Sequence, residues 1–165
     1  MNGMGSHQSA RMLKDEWLTP RWVLNALGQF ELDPCAPVVR PWGTAQRHYT
    51  IQHDGLKQPW HGRVWLNPPY GKETGKWLAR LAQHGIGTAL IFARTETAMW
   101  FDHVWPRADA VLFLKGRLHF CHVDGRPAKA NAGAPSALIA YGPKDAAILR
   151  DSGIAGHFVA LGSVP

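Results

Sequence analysis

The chain has 165 residues, of which 45% are hydrophobic, and its 18 Lys and Arg residues outnumber its 12 Asp and Glu residues, giving a net charge of +6. This composition predicts one compact domain over residues 14–165 and excludes a chain that is disordered overall. The basic surplus favours a polyanionic partner such as nucleic acid, although many small soluble proteins are basic without one. There is no apolar run of membrane-spanning length, no secretion leader and no Cys-x-x-Cys pair, so we expect a cytoplasmic protein without membrane contact.

The first predicted helix follows residues 1–13, which we expect to be disordered. Thr19 and Pro20 predict its start, with the Thr19 hydroxyl as N-cap and Pro20 at the first helical position. Gly28 fits the position just past its end.

Apolar runs and helical periodicity predict the remaining elements. Segments with a strand pattern are 30–32, 63–66, 88–92, 110–114, 117–122, 136–141 and 157–161; segments with a helix pattern are 74–83, 97–105 and 143–151, while 34–62 is mostly loop. The alternation of strands and helices predicts a three-layer α/β fold with a mainly parallel sheet.

The tetrapeptide Asn67-Pro68-Pro69-Tyr70 follows one of the predicted strands. Its two prolines fix φ and remove two backbone donors, so the strand ends there in a stiff loop. A loop at the carboxyl end of a strand is where α/β sheets bind their ligands. The side-chain amide, carbonyl groups and aromatic face suit an exocyclic amine on a flat ring and predict a site that methylates an amino group. The alternative is a proline-stiffened surface turn.

The same tetrapeptide resembles the catalytic loop of S-adenosylmethionine-dependent amino-methyltransferases. Further segments, in the same order along the chain, resemble the phage-type DNA N-6-adenine methyltransferases: Asp15-Glu16-Trp17-Leu18-Thr19-Pro20, Leu32-Asp33-Pro34-Cys35-Ala36-Pro37, Asp54-Gly55-Leu56, Ala93-Arg94-Thr95-Glu96-Thr97, Gly116-Arg117-Leu118-His119-Phe120 and Ala134-Pro135-Ser136-Ala137. The resemblance covers roughly residues 14–141. It implies a compact Rossmann-like methyltransferase fold, S-adenosyl-L-methionine as cofactor and double-stranded DNA as partner.

This resemblance assigns catalysis to Asn67, Pro68, Pro69 and Tyr70. The Asn67 Oδ1 atom and the Pro68 carbonyl would each accept one hydrogen of the adenine N6 amine, which would direct its lone pair at the methyl group. Tyr70 would stack on the base after it has left the duplex.

The resemblance also implies a set of cofactor contacts. They are Thr19, Pro20, Asp33, Pro34, Asp54 and Asn67. Asp33 would meet the methionine ammonium or another donor, and Asp54 would accept from the adenine amine of the cofactor. Both aspartates are alternatively ordinary turn residues. The segment after Asp33 lacks the Gly-x-Gly turn of the wider methyltransferase pattern.

Two polar loops, 38–52 and 115–131, are the expected DNA contacts, because no segment is long enough for a separate recognition domain. The candidate residues are basic or aromatic: Arg40, Trp42, Arg47, Lys115, Arg117, Arg126 and Lys129.

Other functions stay open from the sequence. One is methylation of a different planar amine, in protein glutamine or RNA guanine, and another is a noncatalytic DNA-binding module of the same fold. His119, Cys121 and His122 lack a second ligand pair at metal-site spacing, so no metal is expected.

Overall fold

A computed structural model describes residues 17–129 and 132–162, and the expected disorder of residues 1–13 therefore falls outside the described part. The helices are α1 (Arg21–Leu27), α2 (Thr74–His84), α3 (Ala98–His103) and α4 (Pro143–Arg150), with a short 3-10 helix at Gly55–Lys57. The strands are β1 (Leu32–Asp33), β2 (Arg47–His48), β3 (Val64–Leu66), β4 (Gly87–Phe92), β5 (Ala110–Leu114), β6 (Ser136–Tyr141) and β7 (Gly156–Ala160). No helix in this part of the chain is long and apolar enough to cross a membrane.

The described strands form one sheet in the order β2-β1-β3-β4-β6-β5-β7. The first four strands of this order pair in parallel, whereas β6 is antiparallel to β4 and β5, and β7 is antiparallel to β5. Five of the seven described strands therefore run in the same direction, which confirms an α/β fold with a mixed, mostly parallel sheet. The carboxyl ends of β1, β3, β4 and β5 consequently lie at one edge of the sheet.

Helices cover both faces of this sheet. Alternate residues of a strand point to opposite faces, so Leu66 and Ile91 enter a core with α2 and α3, whereas Trp65 and Leu90 enter a second core with α1 and α4. This is the arrangement that three layers require, and it is compatible with a Rossmann-like fold.

The strand predicted over 117–122 is wrong. Only Cys121 of this segment makes β-bridges, to Leu18 and Pro127. The reason lies in the sheet: both edges of β5 are already paired, with β6 and β7, so the chain that follows β5 finds no free neighbour. Leu118 and Phe120 instead pack into the second core.

Two smaller predictions also need correction. The first helix begins at Arg21, with Pro20 at the N-cap position and no capping bond from the Thr19 hydroxyl. The helix predicted over 97–105 spans only Ala98–His103. The segment 34–62 is mostly loop, as expected, and the two-residue strand β2 lies within it. Helix ends are set by local hydrogen bonding that a sequence pattern places only to within one or two residues.

A buried ion pair joins α4 to the sheet. Arg63 Nε donates to Asp145 Oδ1 over 2.8 Å, and the two side chains are 7% and 0% exposed. Arg63 Nη1 also donates to the carbonyls of Leu27 and Gln29, while the Thr88 hydroxyl donates to Asp145. The pair therefore connects α4, β4, the start of β3 and the end of α1.

Candidate active site

The Asn-Pro-Pro-Tyr turn follows β3, whose three residues are fully buried. Its far end is held by α2, because the Thr74 hydroxyl donates to the Pro69 carbonyl over 2.5 Å and the Thr74 N–H donates to the Gly71 carbonyl over 3.3 Å. The prediction that the strand ends in a loop at Asn67-Pro68-Pro69-Tyr70 is confirmed.

The Asn67 side chain is oriented by the segment before α1. Asn67 Nδ2 donates to the Thr19 hydroxyl over 3.3 Å, and no hydrogen bond to Asn67 Oδ1 occurs among the described residues. The Asn67 main-chain carbonyl accepts from the Cys35 thiol over 3.2 Å. Burial raises the pKa of Cys35 well above its usual value, so the thiol stays a donor. The side chain thus keeps one acceptor oxygen for a ligand.

Tyr70 forms an aromatic stack with Phe92, the last residue of β4. The ring centroids are 4.2 Å apart and the planes differ by 4°. Phe92 is buried, and the Tyr70 hydroxyl is also buried with no partner among the described residues. Burial raises the pKa of Tyr70, so the phenol stays neutral and its ring offers an uncharged stacking surface.

A cavity of about 630 Å³ opens beside this turn. All four predicted catalytic residues line it, as do the predicted cofactor residues Thr19, Asp33, Pro34 and Asp54, while Pro20 is the neighbouring residue. Its volume falls in the range of cavities that hold a small organic ligand. Residues predicted from the carboxyl ends of β1 and β3 are therefore brought together in one site.

Asp33 lies in this cavity at the end of β1 and is only 2% exposed. Its Oδ1 accepts from the Cys35 N–H over 3.1 Å, and its Oδ2 accepts from the Thr44 hydroxyl. Burial raises the pKa of Asp33 to about 6 despite these hydrogen bonds. A buried carboxylate with a raised pKa gains from a cationic ligand, because the ligand compensates its lost hydration.

The loop that carries Thr44 is held by a neutral histidine. The N–H groups of Thr44 and Ala45 both donate to His48 Nε2, over 3.1 and 3.3 Å. Burial lowers the pKa of His48 to about 4, so the ring nitrogen keeps the lone pair that accepts these bonds. His48 thereby positions Thr44 against Asp33.

Asp54 lines the cavity and has left-handed backbone geometry, with φ of 54°. It precedes the 3-10 helix and pairs with Lys57 over 3.0 Å in an exposed ion pair. Gly55 packs so tightly against the turn after β1 that a Cβ there would overlap the Pro34 carbonyl oxygen. This contact holds Asp54 next to the segment that carries Asp33.

Several residues of the site were given no functional role from the sequence. The further residues that line the cavity are Trp17, Leu18, Cys35, Ala36, Pro37, Thr44, Thr50, Ile51, Gly55, Trp65, Trp77 and Phe120. A role for Phe92 in the site could have been predicted from the sequence, because this residue ends an apolar strand that lies beside β3. The contact of Thr44 with the site could not have been predicted, since Thr44 lies in a loop without helix or strand periodicity.

The two loops expected to contact DNA touch each other. The Trp42 ring packs against Gly125, where a Cβ would come within 3.0 Å of it, and the Arg21 guanidinium lies 5.4 Å from the centre of the same ring. Arg40 donates to the Pro37 carbonyl over 2.7 Å, so its guanidinium folds back onto its own loop.

The other candidate DNA residues are distributed along these loops. The Arg47 guanidinium lies 5.3 Å from the Tyr49 ring centre, Arg117 donates to the Ala132 carbonyl over 3.2 Å, and Arg126 pairs with Asp124 over 2.6 Å. Lys115 and Lys129 are exposed. In the described ranges, no group of three or more His, Cys, Asp or Glu side chains could hold a metal ion.

Comparison with known proteins identifies a family for this chain. A protein-family model described as DNA N-6-adenine-methyltransferase (Dam) matches residues 6–149. No curated protein and no solved structure matches the chain. The matched range contains the Asn-Pro-Pro-Tyr turn, every predicted cofactor residue and both loops.

Proposed function

Because the chain belongs to the DNA N-6-adenine-methyltransferase (Dam) family, we propose that it transfers a methyl group from S-adenosylmethionine to the N6 amine of an adenine in double-stranded DNA. Family membership gives the activity class, DNA adenine N6 methylation. The observation that supports the cofactor and the catalytic residues is the Asn67 amide, which is anchored through Nδ2 and offers Oδ1 beside the large cavity.

The adenine amine is a poor nucleophile, because its lone pair is delocalised into the ring. Asn67 Oδ1 and the Pro68 carbonyl each accept one amine hydrogen, which draws N6 toward tetrahedral geometry and localises the lone pair. When bound, S-adenosylmethionine supplies an electrophilic methyl group on its sulfonium. The N6–carbon bond forms as the sulfur–carbon bond breaks, and the surplus proton leaves N6 to water. Positioning and electrostatics thus carry the reaction without a strong base.

The target base has to leave the duplex, because the amine of a paired adenine is hydrogen-bonded and stacked. One face of the Tyr70 ring is covered by Phe92, so the flipped adenine stacks on the other face. The base, Tyr70 and Phe92 then form a stack of three aromatic groups, in which Phe92 is fixed at the end of β4.

The residues present fit S-adenosylmethionine. Two carboxylates, Asp33 and Asp54, line the cavity of about 630 Å³, and none of its other described lining residues is charged. Asp33 suits the ammonium of the methionine moiety, because its buried charge needs a cation. Asp54 suits the adenine amine of the cofactor, and Thr19 and Pro34 line the wall between the turn and β1, with Pro20 next to Thr19 in the chain.

The first test of the cofactor site is Asp33→Asn. We expect binding of S-adenosylmethionine to weaken roughly ten- to a hundredfold, because a charge-assisted hydrogen bond is lost. In the wild type, affinity should fall as the pH drops below about 6, since protonated Asp33 no longer attracts the ammonium. Calorimetric titration between about pH 5 and 7, where most of the ligand's amino group stays charged, measures both effects.

Thr44→Val is a second variant that tests this prediction. Its hydroxyl stabilises the Asp33 carboxylate and lowers the pKa of that group, so its removal should move the midpoint of the pH dependence upward. Asp33→Asn should show no midpoint near pH 6. A wild-type affinity that is constant over this range would contradict a contact between Asp33 and the cofactor ammonium.

Phe92→Leu tests the aromatic stack while keeping an apolar side chain in the core. An aromatic pair contributes about 0.5–1.5 kcal/mol beyond the effect of the surface area that it buries, so we expect the KM for DNA to rise roughly two- to twelvefold.

Tyr70→Leu removes the stacking surface itself, so it should raise the KM for DNA more than Tyr70→Phe, which retains the ring. Equal losses for these two Tyr70 variants would show that the hydroxyl and not the ring face matters.

The proposed function is tested directly with tritiated S-adenosylmethionine and duplex DNA of mixed sequence. Label should enter the DNA, and digestion should release N6-methyladenine. Label in protein, or in guanine of added RNA, would instead establish one of the other planar-amine substrates. Binding of DNA without transfer to any of these acceptors would establish a noncatalytic module.

A further inference from the structure

A second, smaller cavity lies at the carboxyl end of β5. It has a volume of about 200 Å³ and shares no lining residue with the large cavity. Its walls are α1, with Trp22 and Ala26, the segment from the last residue of β5, Leu114, to Leu118, and the turn after α4 at 152–155. The Lys115 N–H donates to the Ala155 carbonyl over 2.9 Å, and this hydrogen bond joins the segment after β5 to the turn after α4.

The lining of this cavity combines one exposed aromatic ring with two cations. Trp22 is 51% exposed although it lies on a helix whose neighbours Val23 and Leu24 are buried. Lys115 and Arg117 line the same cavity and are exposed. An exposed ring beside positive charge is the arrangement by which proteins hold unstacked nucleotides, with the base on the ring and the phosphate on the cations.

The distance between this cavity and the turn after β3 is short enough for one DNA molecule to reach both. Strands β3 and β5 run in the same direction, so Asn67 and Lys115 leave the sheet at the same edge. Three strand spacings separate them, which is roughly 14 Å at about 4.8 Å per spacing. A DNA strand covers this distance in about four nucleotides.

We propose that the second cavity holds one unstacked nucleotide of the DNA substrate, within about four steps of the target adenine. Its base stacks on Trp22, and its phosphate contacts Lys115 and Arg117. The cavity is smaller than typical cofactor sites, which suits a single planar group. This inference rests on the proposed function, because it places the nucleotide relative to a target base held at Asn67.

Two measurements test the proposal on the full chain. In the first, 5-iodouracil is placed at single positions on each side of the methylated adenine, and the duplex is photo-crosslinked to the protein in the presence of S-adenosylhomocysteine. Mass spectrometry should find Trp22 as the crosslinked residue for one position within about four nucleotides of the target. Crosslinks that never include Trp22 would overturn the proposal.

In the second measurement, Trp22→Ala is compared with Trp22→Phe and with Phe101→Ala. Trp22→Ala should weaken DNA binding and raise the KM for DNA about five- to a hundredfold, whereas Trp22→Phe should recover most of the loss. Phe101 is the matched control, because it is also an exposed aromatic residue, 62% exposed, but on α3 at the other face of the sheet. Its variant should bind DNA as the wild type does.

The two proposals fail in different ways. If the wild type methylates DNA and Trp22→Ala has an unchanged KM, the nucleotide site is wrong and the proposed function stands. If the wild type crosslinks through Trp22 to an oligonucleotide of random sequence but transfers no methyl group, the proposed function fails and nucleotide binding at Trp22 stands. A loss in Trp22→Ala with an equal loss in Trp22→Phe and no crosslink would indicate a structural role and overturn the inference.

Discussion

Asn67→Ala is expected to lower kcat for DNA methylation by at least about a hundredfold, with the affinity for S-adenosylmethionine changed only a few-fold. The loss follows from the reaction: without Oδ1, one amine hydrogen has no acceptor, and the N6 lone pair stays delocalised. Removing one oriented hydrogen bond to a reacting group costs about 3–4 kcal/mol at the transition state. Single-turnover kinetics with saturating DNA isolates the transfer step from binding.

A matched variant separates the acceptor from the anchor. Asn67→Asp keeps oxygen acceptors at this position but loses the N–H that donates to Thr19 over 3.3 Å. If the acceptor oxygen carries catalysis, the aspartate variant should retain clearly more activity than the alanine variant. A kcat for Asn67→Ala within tenfold of the wild type would show that this amide is not the acceptor for the reacting amine.

The turn after β3 could be predicted from the sequence because its determinants are local. Two adjacent prolines end a strand whatever surrounds them, and the buried pattern of Val64 to Leu66 identifies that strand as central. Asp33 could be placed with it for a topological reason, since carboxyl ends of parallel strands share an edge. The large cavity between them is the consequence of these two facts.

The errors arose where the outcome depends on distant partners. The alternating apolar pattern of residues 117–122 is compatible with a strand, but pairing requires a free neighbour, and β6 and β7 occupy both edges of β5. Thr44 shows the same limit in the site itself. Its hydroxyl donates to Asp33 from a loop in which His48 accepts two N–H groups, and no helix or strand pattern in the sequence predicts this loop conformation.

The largest expected effect on stability is that of Asp145→Ala. Its carboxylate is fully buried and accepts from both Arg63 and Thr88, and the Arg63 side chain is only 7% exposed. Truncation would leave the Arg63 guanidinium buried without its counter-ion, which costs about 3–5 kcal/mol. Urea unfolding followed by circular dichroism should show this decrease in the free energy of unfolding, with little change in the slope.

Asp151→Ala is the control for the buried pair, because Asp151 also pairs with an arginine, Arg150, but both side chains are more than half exposed. Exposed ion pairs contribute little to stability, so the free energy of unfolding of this variant should be close to that of the wild type. The double variant Arg63→Met/Asp145→Leu removes both charges together and should recover part of the loss, since apolar side chains of similar size replace buried ion pairs well. If Asp145→Ala were no less stable than Asp151→Ala, the Arg63–Asp145 pair would not be the link that fastens α4 and the end of α1 to the sheet.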